Sequence, residues 1–238
     1  MSAHLLPPRS DAAPIPARGL LVRGRRTARW LIRRRWDVRV HHPERFPSAG
    51  PAVVAGNHIG LIDGPLMAIF APRPVHALTK VEMFSGPLGA FLRATGQIPL
   101  DRYRTDPAAV RIALRVLREG HAVGVFPEGT RGPGDLETFH GGTAYLALVT
   151  GAPVVPLTFL GSRVPGGSSS SLPPRGARID IVVGEPYAVD AVAWPRTREN
   201  VSSTSALLRE HMRDQLAVAL DETGRCLPGP LPQGERDE

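Results

Sequence analysis

Short apolar runs alternate with longer amphipathic stretches along most of the chain, and this alternation predicts strands and helices in turn. The run Ala-Val-Val-Ala-Gly at 52–56 is typical of the strands, because it is wholly apolar and ends at a glycine. The run that contains Pro99 is the weakest of the set, since proline cannot donate to a sheet. The pattern predicts six strands, at 52–56, 75–79, 96–100, 122–126, 153–161 and 177–184.

Three stretches carry helical signals. Asp106 followed by Pro107 is typical of a helix start, because aspartate accepts from free amides and proline suits the first turn. An amphipathic stretch at 108–120 follows, and two more helices are predicted at 141–150 and 204–220. Strands that alternate with helices predict an α/β fold, here a single domain with a mostly parallel or mixed sheet flanked by helices. In such folds the functional loops lie at the strand ends.

The remaining composition divides the chain into segments. Residues 1–17 are rich in proline and alanine and 224–238 in polar residues, proline and glycine, so both predict disordered tails. The stretch 162–176, which contains four consecutive serines, predicts a mobile loop. The body at 46–223 then forms the predicted domain, and a length of 238 residues suits one domain with a real core.

The positive charge is confined to the N-terminal part of the chain. The formal net charge is +7, but residues 1–45 hold eleven arginines and three acids, so the rest sums to −1. Within 18–45, tryptophan and leucine are interspersed with arginine, as in segments that lie at an anionic lipid surface. A basic helix packed on the domain is the alternative. Nucleic-acid binding is disfavoured, because the basic residues stop there and aromatic residues make up only 5%.

Several classes of protein are excluded by simple counts. The single cysteine, Cys226, permits neither an internal disulfide nor a cysteine metal site. No uncharged apolar run reaches the length of about 18 residues that a spanning helix needs. Together with residues 18–45, called the Arg/Trp segment, these counts lead us to expect peripheral attachment at the cytoplasmic face of a membrane.

The sequence Gly-Asn-His-Ile-Gly-Leu-Ile-Asp-Gly at 56–64 contains the first candidate site. His58 and Asp63 would not share a face of one helix, since five residues turn through about 500°. They meet if His58 ends a strand and Asp63 begins the next helix. The carboxylate would then orient the imidazole and leave its other nitrogen as a base. The alternative is a histidine and a capping aspartate that never meet.

No protein nucleophile accompanies this histidine. The chain has no Gly-x-Ser-x-Gly elbow, and Cys226 lies in a predicted tail. The base would therefore act on a hydroxyl of the substrate, or on water.

A second candidate site is the stretch Val-Phe-Pro-Glu-Gly-Thr-Arg-Gly at 125–132, directly after a strand. Gly129, Thr130 and Arg131 offer close backbone approach, a hydroxyl and a planar cation, which suit a phosphate. Glu128 would steady Arg131 or accept from a substrate hydroxyl. A turn with a surface ion pair is the alternative, and the stretch is not a P-loop.

Five stretches in this order resemble the glycerolipid acyltransferase family, whose best-known members are the lysophosphatidic acid acyltransferases. Asn-His-Ile-Gly-Leu-Ile-Asp resembles the family's N-H-x-x-x-x-D motif, with Gly60 where many members carry serine or another polar residue. Phe-Pro-Glu-Gly-Thr-Arg resembles its second hallmark. The other three are Lys-Val-Glu-Met-Phe-Ser-Gly-Pro-Leu-Gly at 80–89, Gly-Gln-Ile-Pro-Leu-Asp-Arg at 96–102 and Ala-Pro-Val-Val-Pro-Leu-Thr-Phe-Leu-Gly at 152–161.

The resemblance implies a glycerol-3-phosphate (1)-acyltransferase-like fold and direct acyl transfer. His58 would take the proton of a glycerol hydroxyl and Asp63 would orient it. Asn57, nearby backbone amides and Lys80, the only lysine of the chain, would stabilise the oxyanion. A substrate phosphate would contact Arg131, the Gly129–Thr130 backbone and Arg102.

The resemblance also implies the substrates. Acyl-CoA or acyl-carrier protein would donate the acyl group as a substrate, with no cofactor and no metal. The acceptor would be a lysophospholipid, 1-acylglycerol 3-phosphate giving phosphatidic acid in phospholipid biosynthesis. Glycerol 3-phosphate, an acylated amino acid and a glycolipid remain alternative acceptors. Water as acceptor, or a catalytically silent membrane-surface protein, would be a different function.

Overall fold

The computed structural model describes residues 10–194 and 196–235. Within these residues, seven strands form one sheet: β1 (Asp37–His41), β2 (Ala52–Gly56), β3 (Val75–Lys80), β4 (Ile98–Leu100), β5 (Ala122–Val125), β6 (Val154–Leu160) and β7 (Arg178–Val183). Six α-helices accompany them: α1 (Gly19–Arg35), α2 (Asp63–Phe70), α3 (Gly86–Ala94), α4 (Pro107–Arg118), α5 (Gly142–Thr150) and α6 (Arg198–Thr223). Two short 3₁₀ helices lie at Pro43–Arg45 and Val81–Phe84.

The sheet is mixed, with the strand order β1-β7-β6-β2-β5-β3-β4. Every neighbouring pair is parallel except β6 and β7. The central strands β2, β5 and β6 are buried along their whole length, as expected where helices cover both faces of parallel strands. Helices α4, α5 and α6 pack on one face, and α1 and α2 pack on the other.

The predicted α/β fold and all six predicted strands are confirmed, with ends that agree within two residues. Asp106 accepts hydrogen bonds from two amides in the first turn of α4, as its position predicted. Helix α6 begins at Arg198 rather than at 204, because Thr197 and Asn200 form a capping box there.

Strand β1 is the element that the sequence did not reveal. Asp37–His41 pairs with β7 in parallel register and forms one edge of the sheet. The sheet therefore begins at Asp37, before the start predicted for the domain at residue 46. The strand was hidden because it has five residues in an arginine-rich stretch and buries only Val38.

Helix α1 contains most of the predicted Arg/Trp segment and packs on α2. Arg25 and Arg29 donate to the carbonyls of Ile69 and Ala71 at the C-terminal end of α2, where positive charge is favourable. Burial, with the charge of Arg29, lowers the pKa of Arg25 to about 10. The packed-helix alternative therefore describes one face of α1.

The opposite face of α1 is exposed. Trp30 and Leu31 expose more than half of their surface, 57% and 55%, and the guanidinium of the exposed Arg34 lies over the Trp30 ring. In the described ranges 10–194 and 196–235, no helix combines the length and apolar character required to cross a bilayer.

Parts of the predicted tails contact the domain. Arg115 of α4 donates to the carbonyl of Asp11, and Arg163 donates to the carbonyl of Gly229. Disorder was predicted for 1–17 and 224–238. Of these, residues 1–9 and 236–238 lie outside the described residues.

The loop predicted to be mobile at 162–176 is anchored at its start. Ser162 and Arg163 are both buried, because their side chains bond to the candidate site. The prediction of a mobile loop was wrong for these two residues.

Candidate active site

His58 and Asp63 form a hydrogen-bonded pair, here called the dyad, in the arrangement that their spacing allows. His58 follows the end of β2, and Asp63 is the first residue of α2. The imidazole Nδ1 lies 3.0 Å from Asp63 Oδ2. The same oxygen accepts the backbone N–H groups of Ile59 at 2.7 Å and Gly60 at 2.8 Å. The loop that connects β2 to α2, residues 57–62, is called the dyad loop. It wraps around the carboxylate and fixes the distance between the two side chains.

A serine absent from the sequence predictions completes the environment of the carboxylate. Ser162 Oγ, just after β6, donates to Asp63 Oδ1 at 2.5 Å. Asp63 has no exposed surface, and four donors compensate for its removal from water. No motif marks Ser162, because about a hundred residues separate it from Asp63 in the chain.

His58 is oriented with one nitrogen left for chemistry. An ionised carboxylate only accepts hydrogen bonds, so Nδ1 carries the hydrogen and Nε2 holds the lone pair that takes a proton. The imidazole stacks on the ring of Phe126, with centroids 4.1 Å apart. Its side chain is 18% exposed. The ring is therefore held on two sides while part of it stays accessible.

Glu128 supports the dyad loop. Its Oε1 accepts the His58 backbone N–H at 2.7 Å, and the Gly134 N–H also donates to it. Burial raises the pKa of Glu128 to about 8, against the opposing effect of these two hydrogen bonds. The carboxyl group joins the two motifs through the backbone, a role that the sequence did not predict.

Both predicted phosphate arginines are fixed by backbone carbonyls: Arg131 lies on the loop after β5, and Arg102 follows β4 and bonds to that loop. Arg131 donates to the carbonyl of Ser169 at 3.0 Å, and Arg102 donates to the carbonyl of Gly129 at 2.7 Å. Gly129 has a φ of 75°, and a Cβ there would lie 2.8 Å from the ring of His140. Glycine is therefore required at this turn. Thr130 is exposed at its tip, and Arg102 bonds to the same turn at Gly129.

The side chain of Asn57 bonds to the backbone of neighbouring segments. Its Oδ1 accepts the Phe159 N–H at 2.7 Å, and its Nδ2 donates to the carbonyls of Phe159 and Gly134. The buried amide joins the end of β2 to β6 and directs its hydrogens at backbone carbonyls.

The backbone amides nearest the dyad are also engaged. Those of residues 58–60 donate to Glu128 or Asp63. In this arrangement the Asn57 side chain and these three amides are directed at protein acceptors, and oxyanion stabilisation by Asn57 or other nearby amides stays a prediction. Lys80 lies at the carboxyl end of β3, as the dyad lies at the carboxyl end of β2, and β3 is two strands away from β2.

Arg163 connects the loops around the dyad. It is 2% exposed and donates to four backbone carbonyls, those of Ile59, Gly132, Gly167 and Gly229, at 2.6–3.0 Å. One guanidinium therefore fixes the dyad loop, the end of the loop after β5, the serine-rich loop and the segment after α6. A planar group with five donors suits this task.

Gly60 provides the space that this arrangement needs. A Cβ at Gly60 would lie 2.8 Å from the carbonyl oxygen of Ser162 and 3.4 Å from Cβ of Arg163. The departure from the family motif thus permits close packing of the segment that starts at Ser162.

Comparison with known proteins agrees with this geometry. The sequence profile of a family described as Acyltransferase matches residues 37–160. A 1-acyl-sn-glycerol-3-phosphate acyltransferase of Bacillus subtilis (strain 168) is 26% identical over 77% of this chain and 90% of its own length. The 1-acyl-sn-glycerol-3-phosphate acyltransferase beta of Homo sapiens is 32% identical over 56% of this chain. The chain spans about half the length of that human relative.

A solved structure shares the fold. The crystal structure of the 1-acyl-sn-glycerophosphate acyltransferase PlsC from Thermotoga maritima superposes with a TM-score of 0.58 and 24% identity. The superposition covers 85% of this chain and 78% of that protein.

Proposed function

The chain belongs to the Acyltransferase family, and on that premise we propose that it transfers a fatty acyl group from acyl-CoA or acyl-carrier protein to the free hydroxyl of 1-acylglycerol 3-phosphate, forming phosphatidic acid. The observation that carries the proposal is the His58–Asp63 pair, with Nδ1 3.0 Å from Oδ2, bonded through Glu128 to the loop that contains Arg131 and to which Arg102 donates. A base of this kind, without a protein nucleophile, suits direct transfer to a hydroxyl.

The chemistry follows from the orientation of His58. Nε2 takes the proton of the acceptor hydroxyl as its oxygen attacks the thioester carbonyl carbon. The tetrahedral intermediate collapses, the carbon–sulfur bond breaks, and the imidazolium gives its proton to the departing thiolate. An ester forms and the base is regenerated. Asp63 holds the imidazole in the required tautomer and stabilises the transient imidazolium.

The acceptor phosphate is assigned to the loop after β5. Arg131 and Arg102 offer guanidinium groups, which bind phosphate oxygens in pairs. Both are anchored to backbone carbonyls of the neighbouring loops, so little side-chain freedom is lost when the phosphate binds. Lys80 remains the candidate for oxyanion stabilisation at this edge of the sheet.

Attachment to an anionic membrane surface is assigned to the outward face of α1. Trp30 and Leu31 would enter the interface, while Arg34, whose guanidinium lies over the Trp30 ring, contacts lipid phosphates. The inward face stays packed on α2 through Arg25 and Arg29. Such peripheral attachment at the cytoplasmic face would bring the site close to a lipid acceptor.

A panel of acceptors tests the proposal. Purified full-length protein is incubated with labelled acyl-CoA or acyl-carrier protein and vesicles that contain one acceptor each. The matched pair is 1-acylglycerol 3-phosphate and the corresponding monoacylglycerol, which has the hydroxyl but lacks the phosphate. We expect phosphatidic acid from the first, with kcat/KM at least about 100-fold higher, since two charge-assisted contacts are each worth about 1.5–3 kcal/mol.

Three results would contradict the proposal. Equal use of both acceptors would remove the role of the phosphate. A preference for glycerol 3-phosphate would assign a different acceptor. Release of free fatty acid without transfer would indicate a thioesterase.

A further inference from the structure

The segment after α6 returns to the candidate site. Helix α6 ends at Thr223, and Gly224 follows in a left-handed conformation that redirects the chain. The carbonyl of Gly229 then accepts from Arg163 at 2.6 Å. Because Arg163 also binds the dyad loop, this segment lies beside the site.

Glu235, at the end of this described segment, lies in a set of converging donors. Its Oε1 accepts from Ser168 Oγ at 2.7 Å, Ser169 N at 3.0 Å and Ser169 Oγ at 2.8 Å. Ser169 is only 4% exposed. Three hydrogen bonds to one carboxylate oxygen are the pattern of an anion-binding site rather than of a surface contact.

Arg131 belongs to the same cluster. Its Nη1 donates to the carbonyl of Ser169 at 3.0 Å, which fixes the guanidinium against the serine loop. The pKa of Glu235 is lowered, chiefly by the hydrogen bonds from Ser168 and Ser169 and further by the charge of Arg131. The guanidinium, two hydroxyls and one backbone amide are therefore close enough to act on one anion.

We propose that Ser168, Ser169 and Arg131 form a cradle for the phosphate of the acceptor, and that Glu235 occupies this cradle as an internal competitor which the phosphate displaces. The identity of the anion as the acceptor phosphate rests on the proposed function. The existence of an anion site rests only on the contacts of Glu235. The cradle extends the phosphate site beyond the motif loop to a serine loop about forty residues further along the chain.

A competitor of this kind has a specific consequence for affinity. The acceptor binds only to the fraction of molecules in which Glu235 has left the cradle, so its apparent affinity falls by that fraction. A phosphate monoester carries more charge and more acceptor oxygens than a carboxylate, so it can displace Glu235. Glu235 would therefore occupy the cradle until a phosphate binds there.

A structural latch is the competing explanation, and it predicts the opposite sign. If Glu235 only steadies the serine loop, its removal loosens the loop and weakens phosphate binding. If it competes, its removal strengthens binding. The direction of the change therefore decides between the two.

Binding of sn-glycerol 3-phosphate to the full-length protein, measured by titration calorimetry, tests the proposal. Glu235→Ala is expected to lower the dissociation constant about tenfold if the free cradle is open about a tenth of the time. Glu235→Gln, which keeps the shape of the side chain, should act in the same direction. Glu210→Gln, at an exposed position on α6, is the control and should change nothing.

A second set of variants locates the gain. Adding Ser168→Ala and Ser169→Ala to Glu235→Ala should abolish the gain, because the cradle donors are then absent. Unchanged or weaker binding in Glu235→Ala and Glu235→Gln would overturn the proposal, as would a gain that survives loss of both serine hydroxyls. Binding is measured without acyl transfer, so an inactive protein with the predicted pattern would refute the proposed function and leave the cradle standing.

Discussion

Replacement of Arg163 by lysine is expected to slow acyl transfer about 100-fold in a protein that still folds. Arg163 makes four hydrogen bonds to carbonyls from a buried position, whereas an ammonium group has three N–H donors. At least one carbonyl therefore loses its partner, and each buried unpaired carbonyl costs about 1–3 kcal/mol. A domain with a free energy of unfolding of about 5–15 kcal/mol survives this loss.

The catalytic effect comes from the position of the dyad loop. The bond from Arg163 Nε to the carbonyl of Ile59 is 2.7 Å long, and Ile59 also donates to Asp63. A displacement of about 1 Å in such a loop can reduce the rate about 100-fold. We expect this loss in kcat for Arg163→Lys, measured per folded molecule at a temperature where urea titration shows the variant to be folded.

Arg73→Lys is the matched control. Arg73 also donates to several backbone carbonyls, but near the starts of β2 and β5, at the end of the sheet away from the dyad; these are the carbonyls of Pro47, Gly50 and Gly120. An ammonium group keeps three donors for these three carbonyls, so we expect at most a similar loss of stability and a kcat within about threefold of the original. Equal losses of kcat in both variants would refute the positioning role of Arg163.

Three further predictions address other parts of the account. Ser162→Ala leaves one oxygen of Asp63 without its donor, so we expect a loss of about 1–3 kcal/mol in unfolding free energy and a lower kcat; an unchanged kcat would contradict the role of this hydroxyl. Because burial raises the pKa of Glu128 to about 8, the folded protein binds more protons than the unfolded chain between pH 4.5 and 8, and its stability falls as pH rises. Glu128→Gln should remove up to about 4 kcal/mol of that fall; parallel urea midpoints from pH 5 to 8.5 would contradict it. Trp30→Ala with Leu31→Ala should weaken sedimentation with anionic vesicles at least about tenfold, whereas Leu207→Ala, exposed on α6 across the sheet from α1, should not; equal binding would argue against the membrane face of α1.

The local part of the site was predictable from the sequence. The end of a strand, a short loop and the start of a helix lie within nine residues, 56–64, so the spacing allowed His58 and Asp63 to meet and the family resemblance favoured it. The strands were equally visible, because buried parallel strands are continuous apolar runs. Strand β1 was the exception, since a short edge strand with one buried residue carries little pattern.

The contacts between distant segments were not predictable in the same way. Ser162 and Arg163 opened a stretch whose composition resembles a flexible linker, and nothing local marks them as partners of the dyad loop. The direction of a side chain was equally hidden. Asn57 was expected to face substrate, but its amide pairs with the backbone of β6. Glu128 was expected near Arg131, but its carboxyl group bonds to the amide of His58.

The functions of the two loops are linked through these distant contacts. Arg163 bonds to the dyad loop and to Gly132, while Glu128 bonds to His58 from the other side. A disturbance of either support moves the base relative to the proposed phosphate site. Acceptor binding and proton transfer are therefore expected to weaken together when the supports are lost.

The rate of phosphatidic acid formation by His58→Ala, relative to the original protein in the same vesicle assay, tests the central claim most directly. His58 is the base in this account and no other group replaces it, so we predict a loss of about 10²–10⁴-fold with unchanged folding. A folded His58→Ala variant that retains more than about a tenth of the original rate would contradict the account.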